Sequence, residues 1–264
     1  MRNADGNFRR CTTIARATIA GAAAVISLAV VTTPAAAAAP ADANTGVAAA
    51  LAAPTAMPWR AGLTVRSGSR GPTAVLLQQR LTQLGYDPGE HDGSFGTQTR
   101  QSVWAFQHVH GLPANGHIDA ATSRALFAPR APAKLAPRSA ANRIEVNIAK
   151  QYAVVYLAGR VRLITHISSG SAKKWCEKDL TGQLRCASGR TPAGTFRVQR
   201  EIRGVRTSYL GELHDPVYFR GGYALHGSLS VPNEPASHGC VRVPMHVAKY
   251  LMDLAEVGMP VIVR

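Results

Sequence analysis

The sequence predicts a multidomain α plus mostly β chain: a small three-helix bundle, then a mostly antiparallel β domain carrying one C-terminal helix. Three observations predict it. Leu77, Leu81 and Leu84 recur at i, i+4, i+7 between Pro72 and Gly85, which is the period and punctuation of a short helix. Beyond residue 142 the period becomes two, with Ile144, Val146, Ile148 and then Tyr152, Val154, Tyr156 alternating along strands. Near the end, Val247, Leu251, Leu254 and Ala255 form an apolar stripe between Pro244 and Gly258, marking one more helix with its start and stop.

Taken in order, residues 1–39 read as a secretory signal peptide. Arg2, Arg9, Arg10 and Arg16 precede an uncharged apolar run from Ala17 to Val31, and Ala35 to Ala39 offer small-residue cleavage sites. The run is short for a membrane-spanning helix; an uncleaved anchor is the alternative, and membrane contact is expected only through it. Residues 40–62, rich in Ala and Pro, read as a flexible spacer. Residues 63–128 form the helical domain. After the first helix come a turn at Asp92 and Gly93, a second helix that turns Val103 and Phe106 inward, and a turn at Asn115 and Gly116. A third short helix is capped by Asp119. Pro129, Pro132 and Pro137 make 129–142 a semi-rigid linker expected to hold two domains apart. Residues 143–264 form the β domain, with a turn at Ala158 and Gly159 and further short strands at Phe196 to Val198 and Val217 to Tyr218.

Export fixes how cysteines and charge are read. Of four cysteines, Cys11 falls in the signal segment, so Cys176, Cys186 and Cys240 remain and one must stay single. Cys176 and Cys186 bracket a polar loop-like stretch, and a local disulfide is the economical pairing in an oxidising compartment. Cys240 is then the leftover thiol, either reactive or buried and inert. The formal charge is +15, of which residues 1–39 carry +3, leaving +12. Such a chain is drawn to polyanions; for an exported protein these are anionic wall polymers and not nucleic acid, unless the charge serves only solubility.

The neighbours of Cys240 favour reactivity. Ser237, His238, Gly239, Cys240, Val241 and Arg242 follow at a short interval on His226 and Gly227. A thiol attacks as thiolate, and imidazole or positive charge nearby lowers its pKa. The helix after Pro244 places backbone amides downstream, where they would favour an anion.

Two resemblances now become specific. The run Leu77, Gln78, Gln79, Arg80, Leu81, then Leu84, Gly85, Tyr86, then Asp92, Gly93, Phe95, Gly96, then Ala105, Phe106, Gln107, Gly111, Leu112, Asn115, Gly116 resembles the peptidoglycan-binding domain type 1 family. That implies a module docking an exported enzyme on the cell wall. Thr191, Pro192, Ala193, Gly194, Thr195, Phe196, then Tyr218, Phe219, Gly222, Ala224, Leu225, His226, Gly227, then Ser237 to Arg242 resemble the L,D-transpeptidase catalytic domain over roughly residues 143–264. The resemblance implies a β-sandwich-like fold, peptidoglycan stem peptides as substrate, and no cofactor or metal. Only ten residues separate His226 from Ser237, fewer than is usual in the family, so the loop over the site is expected to differ.

Carried over residue by residue, the resemblance makes Cys240 the nucleophile and His226 the proton acceptor and donor, its ring oriented by the Gly227 carbonyl. Amides around Gly239 and Cys240 would bind the oxyanion, and Ser237 would position the loop. His238 has either a direct chemical role or a local hydrogen-bonding one. Arg242 either grips a substrate carboxylate or pairs with an internal acid. Tyr218 either lines the cleft or belongs to the core. His166, His214 and His246 read as ordinary surface or packing histidines. Two other classes stay open: a zinc-dependent hydrolase with His214, His226, His238 and Cys240 as ligands, and a non-catalytic wall-binding protein.

Overall fold

The computed structural model describes residues 59–264. The signal peptide and the spacer up to residue 58 lie outside the described residues. The helical module contains α1 (Pro72–Gln83), α2 (Thr97–His110) and α3 (Ala120–Phe127). Helix α1 starts with Pro at its first turn, where the missing N–H costs nothing. Asp119 caps α3 by accepting from the Thr122 amide at 2.7 Å. Leu77, Leu81, Phe95, Val103, Phe106 and Leu126 fill the module's interior.

The rest folds as strands β1 (Arg143–Asn147), β2 (Tyr152–Leu157), β3 (Arg160–His166), β4 (Lys174–Lys178), β5 (Leu184–Ser188), β6 (Gly194–Arg197), β7 (Arg200–Glu201), β8 (Val205–Ser208), β9 (Gly211–Arg220), β10 (Tyr223–Ser228) and β11 (Val241–Pro244). Helix α4 (Met245–Leu254) and β12 (Pro260–Val263) complete the chain. One sheet has the order β3-β2-β1-β12-β6, and the other runs β11-β10-β9-β7 with β8 beside β9. The strands β4 and β5 form a separate hairpin, and its facing residues Cys176 and Cys186 are joined by a disulfide. Most pairings are antiparallel; β1 with β12 and β10 with β11 are parallel. The parallel pair β10/β11 is joined by the long connection of residues 229–240, as parallel neighbours require, and α4 then carries the chain from β11 in one sheet to β12 in the other.

Between the sheets lies one core of Ile144, Val146, Ala153, Val155, Val217, Phe219, Leu225, Val241, Val243 and Val261, closed by Val247, Leu251 and Met252 of α4. The other face of the first sheet is also covered. Tyr152, Val154, Tyr156 and Ile164 share a core with Leu77, Leu81, Tyr86 and Phe106 of the helical module. The Ile164 amide donates to the Gly85 carbonyl at 2.8 Å. Strand β2, Tyr-Ala-Val-Val-Tyr-Leu, has the continuous apolar run of a strand buried on both faces.

Two expectations are corrected here. Residues 129–142 do not hold two domains apart: the Arg130 amide donates to His110 Nε2 at 3.0 Å and the Leu135 amide to Glu145 Oε2 at 2.7 Å, so the segment is a strap along two modules that share a core. Nor does the spacer run to residue 62. Trp59 is buried in the helical core, and its Nε1 donates to the Ser123 carbonyl at 3.2 Å; an indole of this size buries apolar area that Ala and Pro cannot.

Candidate functional site

Strand alternation assembles the site. In the second sheet, Tyr218 is paired with Ala224 and with Arg200, and His226 with Arg242, while Leu225 faces Val241. Because side chains alternate along a strand, Val217, Phe219, Leu225, Val241 and Val243 turn into the core. Their neighbours Tyr218, Ala224, His226, Cys240 and Arg242 turn to the opposite face. There Tyr218, His226, Cys240 and Arg242 line a cavity of about 750 Å³, to which the β4–β5 hairpin adds Trp175 and the β8–β9 hairpin adds Arg206, Glu212 and His214. Cys240 immediately precedes β11, level with Ala224, so His226 sits two residues further along the adjacent strand, roughly 7 Å in the strand direction. Side chains of this size can close that gap.

His226 is buried, and its Nδ1 lies 2.9 Å from the Gly227 carbonyl. A carbonyl only accepts, so Nδ1 carries the proton and Nε2 keeps its lone pair. Burial, opposed by that hydrogen bond but joined by Arg242 and His214, holds the imidazole down at about 4. It is neutral at pH 7 and able to accept a proton. Gly227 admits no side chain: a Cβ there would come within 2.7 Å of the Ala248 Cβ.

Cys240 is free and half-buried, and its Sγ donates to the Gly222 carbonyl at 3.6 Å. Burial pushes the thiol up, with the Ala224 backbone and Arg242 pulling weakly the other way. This departs from the lowered thiol expected from the flanking residues: desolvation outweighs the neighbouring charge. The expected help from a helix terminus is also absent. Strand β11 separates Cys240 from α4, and four extended residues span roughly 13 Å, whereas the dipole effect fades within a turn.

The loop bearing the thiol is held from both sides. Ser237 Oγ accepts from the Gly239 amide at 2.9 Å and also bonds the Cys240 carbonyl. This occupies the Gly239 amide and leaves the Cys240 amide as the nearer candidate for an oxyanion. Gly239 has φ +131, and a Cβ would approach the Tyr223 ring to 2.8 Å, so only glycine suits this turn. The segment Ser168–Ser171 runs alongside: Ser168 exchanges backbone hydrogen bonds with Arg242 at 3.0 Å, and the Ser171 amide donates to the Ser237 carbonyl at 2.9 Å. Thr191 Oγ1 donates to the Gly239 carbonyl and accepts from the Gly170 amide, both at 2.8 Å. Replacing Thr191→Val keeps the shape but strands two buried backbone groups, a cost of about 1–3 kcal/mol. A fall in Tm of roughly 5 °C is expected in thermal unfolding, with slower reaction of Cys240 alongside.

The remaining candidates sort as follows. Arg242 lines the cavity beside His226 and has no acidic partner among the described salt bridges. Tyr218 is 5% exposed, with the Arg200 guanidinium stacked 3.9 Å from its ring centroid, so it is both floor of the cleft and packing. The His238 ring meets Trp175 edge-on at 5.4 Å. His214 lies 3.6 Å from Glu212. His246 Nε2 is 3.0 Å from the Asp87 carbonyl of the helical module. Among the described residues no three His, Cys, Asp or Glu side chains converge as a metal site; His214, His226, His238 and Cys240 line one cavity without forming a ligand cluster.

Two buried imidazoles give the fold a pH dependence. His226 and His166 are both held at about 4, chiefly by burial, against about 6.5 when unfolded. The unfolded chain therefore binds more protons than the folded one between these values, and stability present above pH 6.5 is lost as pH falls towards 4. Tm measured across pH 7.5 to 4 is expected to decline most steeply in that window.

Both modules are similar to known proteins. Residues 141–263 match the family described as L,D-transpeptidase catalytic domain, and residues 70–126 match the one described as putative peptidoglycan binding domain. The crystal structure of the L,D-transpeptidase from Xylanimonas cellulosilytica is 39% identical with a TM-score of 0.70, covering 78% of this chain and 99% of that one. An L,D-transpeptidase structure from Stackebrandtia nassauensis is 22% identical over 76% of this chain and 97% of its own, with a TM-score of 0.44. Among curated proteins, the N-acetylmuramoyl-L-alanine amidase CwlM of Mycobacterium tuberculosis is 39% identical over 57 residues, which is 22% of this chain and 14% of that protein.

Proposed function

The chain belongs to the L,D-transpeptidase family, and from that premise we propose that Cys240 and His226 are its reacting pair and that a peptidoglycan tetrapeptide stem is its acyl donor. The observation that carries the assignment is the placement of Cys240, His226 and Arg242 on one face of two adjacent strands, opening into the 750 Å³ cavity. Neutral His226 accepts the Cys240 proton at Nε2 as Sγ attacks the carbonyl between the third stem residue and the terminal D-Ala. The oxyanion is met by backbone amide at Cys240. The C–N bond then breaks, the imidazolium returns its proton to the departing D-Ala amine, and a thioester remains. An amine of a second stem attacks the thioester to give a 3→3 cross-link and restore the thiol; water in its place gives carboxypeptidase activity. Because thiol and imidazole start neutral, proton transfer accompanies attack and no standing ion pair is required.

Arg200, Arg206 and Arg242 in the cavity face carboxylate-bearing stem peptides, with Glu212 as the acidic counterweight. The net charge of +12 carried by residues 40–264 suits an anionic wall. A catalytic domain joined to a peptidoglycan-binding module is the composition of extracytoplasmic cell-wall proteins, and the Arg-led apolar run at residues 1–39 supports export by cleavage of a signal peptide. Among the described residues no helix is long and apolar enough to cross a membrane.

The test incubates the protein with disaccharide tetrapeptide, with and without a chelator. Release of D-Ala unaffected by chelation is expected. Activity lost to the chelator and restored by zinc would replace this reading with that of a metallohydrolase.

A further inference from the structure

Ten residues lie between His226 and Ser237, and the structure shows what holds them. Asn233, at the middle of that loop, is bonded at both ends of its amide to the helical module. Its Nδ2 donates to the Ala114 carbonyl at 2.8 Å, and its Oδ1 lies 2.8 Å from His108 Nε2 of α2. The carbonyl of Ala114 only accepts, so the amide is fixed with its oxygen towards His108, and His108 must present Nε2–H. One residue earlier, the Pro232 carbonyl lies 2.9 Å from His166 Nε2 at the end of β3. The His166 ring stacks on His108, centroids 6.0 Å apart and planes 8° from parallel, and leans on Trp104 at 5.3 Å. One residue later, Ser168 Oγ donates to the Glu234 carbonyl at 2.7 Å. The same Ser168 pairs through its backbone with Arg242.

We propose that Asn233 is a positioning residue for the reaction, and that through it the helical module buttresses the catalytic loop and is more than a tether. The inference rests on the reading of Cys240 as nucleophile. Ser168–Ser171 and Thr191 hold Ser237 to Gly239 directly, and the stretch that leads into them is gripped at Asn233, so the two holds together set the orientation of Ser237 to Cys240. The grip comes from residues 119 and 125 positions away in sequence. Binding energy spent on ordering the loop before substrate arrives appears in the rate of acylation and not in substrate affinity.

The experiment compares the full-length protein with Asn233→Ala, His108→Ala and His108→Gln. It reads kcat and KM for D-Ala release, the rate of alkylation of Cys240 by iodoacetamide located by peptide mass mapping, and Tm. In Asn233→Ala and His108→Ala, kcat is expected to fall about tenfold with KM within twofold. Cys240 alkylation should shift by several-fold, and retention on isolated cell wall should match the parent. His108→Gln keeps an N–H where Nε2 stood and should restore at least half of the parent kcat. The double Ala variant should be little worse than Asn233→Ala alone, since the His108–Asn233 contact is already lost there. If Asn233→Ala does not fold, the two His108 variants decide. Parent kcat in His108→Ala, or equal loss in His108→Ala and His108→Gln, would overturn the proposal. Should the parent itself release no D-Ala, the functional reading fails, and unchanged alkylation in the variants would still refute the positioning role separately.

Discussion

Cys240→Ala is expected to abolish D-Ala release, lowering it by at least about 10³-fold to what bound amides and substrate positioning supply without a nucleophile. The fold should survive, because the half-buried Sγ makes only a 3.6 Å bond to the Gly222 carbonyl and brief contacts with Tyr218 and Ala224. A Tm within a few degrees of the parent would confirm that. His226→Ala should cost roughly 10²–10⁴-fold, the range for loss of a positioned general base. Cys240 and His226 act on the same proton, so the double variant should be little worse than Cys240→Ala alone. Turnover by Cys240→Ala at a tenth or more of the parent rate would rule out the thiol as nucleophile.

The second large effect is on stability and lies far from the chemistry. Glu145 and Arg143 form a buried pair at 2.7 Å, with exposures of 1% and 4%. The Arg143 guanidinium lies 3.8 Å from the Tyr156 ring centroid, and Glu145 also accepts the Leu135 amide of the strap at 2.7 Å. Glu145→Ala leaves a buried guanidinium without its counter-charge and frees the strap from the sheet. Breaking one side of such a pair costs about 3–5 kcal/mol, so Tm is expected to drop by roughly 10 °C. Limited proteolysis should then cut first between residues 129 and 142. A Tm within 2 °C of the parent, or cleavage elsewhere first, would contradict this.

Legibility in the sequence followed the range of the interaction. Local signals carried through: Pro72 and Asp119 mark helix starts that the structure contains, and the stripe of Val247 and Leu251 is the buried side of α4. The two-residue period also holds, and on the second sheet it separates Val217, Leu225 and Val241 from Tyr218, His226 and Cys240. What failed was any inference about packing between segments distant in sequence. Tyr152, Val154 and Tyr156 show a strand face, yet nothing local shows that α1 and α2 cover it. The prolines of 129–142 describe a stiff segment, whether it spans a gap or lies along a surface. Trp59, alone among small residues, was the available sign that the core begins earlier.

The site divides the same way. The Ser-His-Gly-Cys segment stood out through its resemblance to the L,D-transpeptidase domain, and the same resemblance pointed to the Gly227 carbonyl, which the structure places 2.9 Å from His226 Nδ1. The groups that hold the loop were not legible: Ser168, Thr191 and His108 reach it across 48 or more residues of sequence. No spacing rule joins them. The ionisation of the thiol was misjudged for a related reason, since neighbouring charges are visible in sequence while desolvation depends on the whole fold.

The most direct measurement is the mass of the protein during turnover of a disaccharide tetrapeptide, followed by fragmentation of the modified peptide. The expected result is a gain equal to the donor minus D-Ala, placed by fragmentation on Cys240, absent from Cys240→Ala, and discharged when an amine acceptor is added. Continued D-Ala release with no adduct at Cys240, or with the added mass on another residue, would contradict the assignment of this thiol as the acyl carrier.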